Sequence, residues 1–156
     1  MNERHETEAE RYDRNWLELI QELRVAQTGI QVLAGFLLTL PFTQRFADIS
    51  DEHQRTFLVA FGLAVVTVGL MTAPVSLHRF LFGKGEKDTL VRVGSVFAKL
   101  GMASMGLTLV AVVVLIFGVV VSDTAGYVAG AVVLAFYALA WVALPWMVMR
   151  RRSQSS

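Results

Sequence analysis

The chain has no cysteine, three prolines among 156 residues, and long stretches without one charged side chain. Each shortage excludes something. Without cysteine there is no disulfide framework, no Cys-ligated zinc and no thiol chemistry. Charged residues make up 17% of the chain, against about 25% in an ordinary soluble domain. The deficit is concentrated in uncharged runs, which is the pattern of membrane spans. Glycine forms no GxGxxG or P-loop, and no serine stands in a nucleophile-elbow pattern. His5, His53 and His78 lie at or beyond the edges of the apolar runs with no ligand partner at helical spacing. They read as interface histidines, so neither a metal nor a cofactor is expected. The start, MNERHETEAERYDRN, is acidic and polar, unlike the basic start and apolar core of a cleavable leader. No enzyme activity is expected.

What the chain has is 54% hydrophobic residues, arranged as four runs. The expected fold is all-α: a polytopic membrane protein with four transmembrane helices in an antiparallel bundle. The spans fall at about 23–43, 55–78, 95–121 and 126–147, within a domain at 16–150. A polar segment, 1–15, precedes it and a basic, polar tail, 151–156, follows. In the first span, Arg24 and Arg45 bracket 20 uncharged residues, roughly 30 Å of helix, the thickness of the hydrocarbon core. Trp16, Leu17, Ile20 and Leu23 give an apolar stripe, so this helix should run in from the interface without a break. Pro41 should kink or end it. Ser50, with Asp51 and Glu52 behind it, reads as the N-cap of the second helix, which Pro74 should kink. Asp88 or Thr89 is the expected N-cap of the third. Ser122-Asp123-Thr124 is so short a connection that spans three and four must be antiparallel neighbours.

Small residues mark the faces that can approach another helix closely. In the second span these are Ala60 and Ala64, and separately Gly62, Val66 and Gly69. In the third they are Gly94, Ala98, Gly101, Ser104, Thr108 and Ala111. In the fourth, Gly126 and Gly130 form a GxxxG that Ala131, Ala135 and Ala138 extend. Trp141, Trp146 and Arg150-Arg151-Arg152 make an interface belt and a basic stop.

Orientation follows from the cations. Twelve Lys and Arg flank the amino terminus, the connection between spans two and three, and the carboxyl terminus, whereas Arg45 and Arg55 stand alone on the other side. The positive-inside rule therefore puts both termini in the cytoplasm and the protein in the cytoplasmic (inner) membrane. The basic clusters flank apolar spans, so they read as topology signals and anionic-lipid contacts; no nucleic acid is expected as a partner.

The first span is the least apolar. Thr28, Gln31, Gly35 and Thr39 share one helix face, one turn above Arg24, and Val25, Val32, Phe36 and Leu40 lie opposite. One side should meet protein and the other lipid. The candidate functional residues are Glu22, Arg24, Gln27, Gln31, Arg45, His78 and Arg79. The structural reading makes the polar face packing glue and Glu22 and Arg24 a boundary pair, with Arg79, Lys87 or Arg92 within reach of Glu18 and Glu22. The functional reading makes the face a wet ion path with Glu22 as its carboxylate and His78-Arg79 at its cytoplasmic mouth. Spans two, three and four hold no ionisable group except tyrosine at mid-depth, which weighs against a proton-coupled pump built from a lone chain.

The segments ELRVAQTGIQVLAGFLLTLPFTQRF (22–46) and HRFLFGKGEKDTLVR (78–92) resemble an uncharacterised family of small four-helix bacterial membrane proteins, seen mainly in actinobacteria. The resemblance covers about 17–121 and rests on Glu22-Leu23-Arg24, Gln27-Thr28-Gly29, Gln31, Leu40-Pro41-Phe42, Arg45-Phe46, His78-Arg79 and Lys87-Asp88. It implies the fold and a membrane location. The family is a domain of unknown function, and some members carry a sodium/proton antiporter label. Two readings of function follow. One is a non-enzymatic bundle that binds lipid, a membrane partner or itself as a homo-oligomer. The other is a cation/proton transporter using the polar face of the first span.

Overall fold

Among the described residues the uncharged runs are helical except at their ends. A computed structural model describes residues 7–81, 87–144, 146, 147 and 150. Gly83-Lys84-Gly85-Glu86-Lys87 reads in sequence as a turn, of which Lys87 is already helical; the rest of it, the tail from Arg151 onward and residues 1–6 lie outside the described residues. The order is α1 (Glu8–Thr39), two 3-10 turns (Leu40–Phe42, Gln44–Asp48), α2 (Asp51–Leu81), α3 (Lys87–Val120) and α4 (Asp123–Ala138), which continues into a π-turn at Leu139–Ala143. Among the described residues, four helical segments are long and apolar enough to cross a membrane: Asp13–Phe42, Asp51–Arg79, Thr89–Val120 and Asp123–Ala143.

The boundaries have local causes. α1 runs unbroken from Glu8, as the Trp16 stripe suggests, although Leu17 of that stripe is exposed. It stops before Pro41, which cannot donate to the preceding turn. Thr43 then closes the 3-10 turn, its N–H and hydroxyl both donating to the Leu40 carbonyl at 3.0 and 2.7 Å. Ser50 caps α2 as expected, its Oγ accepting from the His53 N–H at 3.3 Å. Pro74 is buried and does not end α2, which runs on to Leu81. α3 is already helical at Lys87, so neither Asp88 nor Thr89 caps it. Ser122 caps α4, accepting from Ala125 N–H at 3.2 Å.

The chain divides into two units, to which α2 and α3 both contribute. The first comprises Met1–Leu38 and Leu63–Met105. Its core is Leu23, Ile30 and Leu37 of α1, Ala64, Thr67 and Met71 of α2, and Leu90, Ala98 and Ser104 of α3. Gly94 admits α1: a Cβ there would stand 2.9 Å from the Trp16 ring. Gly101 admits Met71 in the same way, at 3.0 Å. The Thr67 hydroxyl donates to the Leu63 carbonyl at 2.7 Å and lies 2.7 Å from Ser104 Oγ. Two buried hydroxyls thus satisfy each other between α2 and α3, which run antiparallel here.

The second unit comprises Thr39–Gly62 and Gly106–Ser156. Phe57 and Ala60 of α2, Val112 and Leu115 of α3, and Gly126 and Gly130 of α4 are buried in it. The GxxxG lies directly on α3. A Cβ at Gly126 would stand 2.6 Å from the Val114 carbonyl oxygen, and one at Gly130 would collide with the Val114 side chain. The α4 alanines expected to extend that face, Ala131, Ala135 and Ala138, are exposed instead. So are Gly62, Val66 and Gly69 of α2. In both helices the stripe that packs is the neighbouring one, because two small-residue stripes on one helix cannot both face the same partner.

Candidate functional site

The polar face of α1 points outward. The apolar residues that recur every seven positions, Leu23, Ile30 and Leu37, turn inward and are at most 5% exposed. That stripe fixes the rotation of the helix. Arg24, Thr28, Gln31, Gly35 and Thr39 all come out exposed, and only Gln27 is half-buried. Within this chain the face that meets protein is therefore the apolar stripe, and the polar face is left for whatever lies beyond it. Val25, Val32 and Phe36, expected opposite the polar face, are exposed with it and adjoin it, since Val32 lies only about 40° around the helix from Thr28. The Thr28 hydroxyl donates to the Arg24 carbonyl at 2.9 Å, so it needs no outside partner. The Gln31 amide forms no hydrogen bond among the described residues, and a Cβ at Gly29 or Gly35 would meet nothing within 4 Å.

The remaining predicted residues are spread over both units. Glu22 and Arg79 are exposed, and Glu22 forms no ion pair with Arg79 or Arg92 among the described residues. Glu18 pairs instead with Arg14 one turn earlier, at 3.3 Å. His78 is half-buried and stacks on Trp16, ring centroids 5.5 Å apart and planes 15° from parallel. It ties α2 to α1 in the first unit. Arg45 belongs to the second unit, exposed in the 3-10 turn after α1.

A polar cluster that the sequence did not reveal joins α2 to α4 in the second unit. Ser50 Oγ lies 2.8 Å from His53 Nδ1, and His53 Nε2 lies 3.1 Å from Asp123 Oδ1. A neutral imidazole protonated at Nε2 satisfies both contacts, with the Ser50 hydroxyl donating to Nδ1. Gly118 makes the room, since a Cβ there would stand 2.8 Å from Nε2. Beside it the Tyr127 hydroxyl donates to Glu52 Oε1. These are the residue types of a hydrolytic triad, with Ser50 Oγ held as the helix cap and an adjoining cavity of about 10 Å³, room for a single water at most. The cluster staples the first turn of α2 to the first turn of α4. Among the described residues no three of His, Cys, Asp and Glu are grouped to hold a metal ion.

A profile of a family of unknown function, DUF6328, matches residues 5–145. The chain belongs to that family. No curated protein and no solved structure matches it. The DUF6328 match spans both candidate regions, the outward face of α1 and the α2–α4 cluster, and attaches no activity to either.

Proposed function

We propose that the protein is a non-enzymatic, multi-pass component of the cytoplasmic membrane that associates with a second copy of itself through α1. The observation that carries this reading is the exposed Gln31 amide at the middle of a helix long enough to span. An amide facing lipid forfeits its hydrogen bonds, whereas across a helix–helix contact it is both donor and acceptor for its own counterpart. The open flanks of Gly29 and Gly35 let a second backbone come close. Twelve Lys and Arg against two support cytoplasmic termini.

Because the chain has no cysteine, single cysteines report contacts without background. Gln31→Cys and Gly35→Cys, oxidised in native membranes, are expected to give disulfide-linked dimers, and Val132→Cys on the exposed side of α4 is not. Monomer throughout, or equal crosslinking at all three, refutes self-association through α1; a crosslinked band of another mass assigns the face to a different partner.

The second reading, cation/proton exchange, is favoured by the same outward face. Arg24, Gln27 and Gln31 would line a path enclosed only when a second copy covers them, and Glu22, half a turn around the helix from Gln31, would reach that path only from a neighbouring copy. Purified dimer in proteoliposomes with a trapped pH dye tests it. Transport requires flux under an imposed sodium or proton gradient that Glu22→Gln abolishes, and absence of flux removes this reading.

A further inference from the structure

The second unit contains an apolar groove of about 360 Å³, within the range of about 300–1,000 Å³ typical of small-molecule sites. Its walls are Leu40, Phe46 and Ile49 on one side and the last turns of α3, Leu115 to Val120, on the other. One charged side chain lines it, Arg45. That guanidinium forms no hydrogen bond and no ion pair among the described residues. The turn that carries it is held in place. Phe46 N–H donates to the Thr43 carbonyl at 3.1 Å, and the Phe46 ring packs edge-on to Phe57 at 4.9 Å.

The depth of these parts in a membrane follows from the spans. Arg45 lies between the end of one span at Phe42 and the start of the next at Asp51, and Leu115 to Val120 close a third span. Leu40 and Leu115 to Val120 are therefore at the level of the first carbons of the lipid acyl chains, and the turn that carries Arg45, Phe46 and Ile49 is at the level of the headgroups. We propose that the groove seats an acyl chain of one anionic phospholipid, with Arg45 on its phosphate. A guanidinium matches a phosphate with two parallel hydrogen bonds. This rests on the membrane-component reading above and gives it a ligand. The neighbouring loops do not supply a general attraction for anions. Asp48, Asp51, Glu52 and Asp123 are all exposed there, and Arg55 is the other cation. Selectivity for an anionic headgroup must therefore come from Arg45 itself.

The experiment is native mass spectrometry of the full-length protein released from vesicles of equal phosphatidylglycerol and phosphatidylcholine. It is paired with photocrosslinking by phosphatidylglycerol carrying a diazirine near the carboxyl end of one acyl chain, the part that lies at the ends of the spans. Wild type is expected to retain one phosphatidylglycerol about fivefold in preference to phosphatidylcholine, the scale of one basic residue at a membrane surface. The label is expected in peptides containing residues 40–49 or 115–120. Arg45→Gln should remove the preference, and Val119→Trp, which fills the groove, should remove the retained lipid and the label. Val132→Trp on α4 should change neither. Equal retention of the two lipids by wild type, an unchanged preference in Arg45→Gln, or label confined to other helices overturns the proposal. So does a disulfide between two Val119→Cys copies, which would make a second chain the occupant. The Gln31→Cys crosslink, measured in the Arg45→Gln and Val119→Trp backgrounds, verifies the fold and separates this outcome from failure of the α1 reading.

Discussion

Gly126 is the position where one added methyl has the largest calculable consequence. A Cβ there would stand 2.6 Å from the Val114 carbonyl oxygen, 3.0 Å from the Gly118 nitrogen and 3.1 Å from Gly118 Cα. All three neighbours are backbone, so no side chain can rotate away. Restoring an ordinary contact of about 3.4 Å or more requires α4 to withdraw from α3 by most of an ångström, which loosens the neighbouring contact at Gly130 as well. Overpacking of this kind costs about 1–3 kcal/mol. The better helix propensity of alanine returns up to about 1 kcal/mol. With only backbone in the way, the upper part of that range, about 2–3 kcal/mol, applies, so Gly126→Ala should destabilise the protein by about 1–2 kcal/mol net. For a chain of this length that lowers the melting temperature by roughly 2–8 °C. Gly62→Ala and Gly69→Ala are the controls, because a Cβ at either would meet nothing within 4 Å. They should leave the melting temperature unchanged or raise it by up to about 4 °C. Thermal unfolding of detergent-purified protein, followed by circular dichroism at 222 nm, measures all three. If Gly126→Ala melts at or above wild type, α4 does not rest on α3 through this glycine and the packing argument fails.

Other perturbations probe separate contacts. Thr67→Val should destabilise by about 0.6–2 kcal/mol, the range for a hydrogen bond between membrane helices. Adding Ser104→Ala should cost little more, since the hydroxyls are 2.7 Å apart and serve each other; strictly additive losses in the double-mutant cycle would refute the coupling. Asp123→Asn should cost less than about 1 kcal/mol, because its side chain is 63% exposed and solvent screens the contact with His53; a loss of several kcal/mol would show that the cluster does more than staple two helix ends. Gln31→Leu should leave the stability of the monomer in detergent within about 0.5 kcal/mol of wild type, as befits an exposed position. The same change should weaken dimerisation in bilayers by about 0.6–2 kcal/mol, read by subunit-exchange fluorescence. Unchanged dimerisation would remove Gln31 from the interface.

Much of the architecture was legible because membrane spans are written in long uncharged runs, and the helices lie where those runs lie. Caps were legible where a hydroxyl preceded acids, as at Ser50. The small-residue faces were half legible. Gly94, Ala98, Gly101 and Ser104 are buried as their spacing suggests, and so are Gly126 and Gly130. Yet on α2 both Ala60/Ala64 and Gly62/Gly69 satisfied the same pattern, and the pattern does not say which stripe the neighbour chooses. The α2–α4 cluster was invisible for another reason. His53 and Asp123 are 70 positions apart, and Gly118, whose missing side chain admits the imidazole, looks in sequence like any glycine of a membrane helix.

The polar face of α1 shows where periodicity stops. Periodicity shows that a helix has two faces, but assigns neither to a neighbour. In water the polar face goes to solvent by default. In a bilayer the default is lost, since lipid accepts apolar side chains and a polar face must find protein somewhere. The sequence alone does not say whether that protein is the same chain or another. In this chain Leu23, Ile30 and Leu37 hold the inward position. With those three inside, Gln31 is turned away from the core, since it lies about 100° around the helix from Ile30. The requirement for a polar partner then persists and passes to whatever lies beyond the monomer. The outward face thereby becomes an argument for association: a lone chain that places Gln31 in lipid leaves unmet a need that a second copy, offering the same amide, would meet reciprocally.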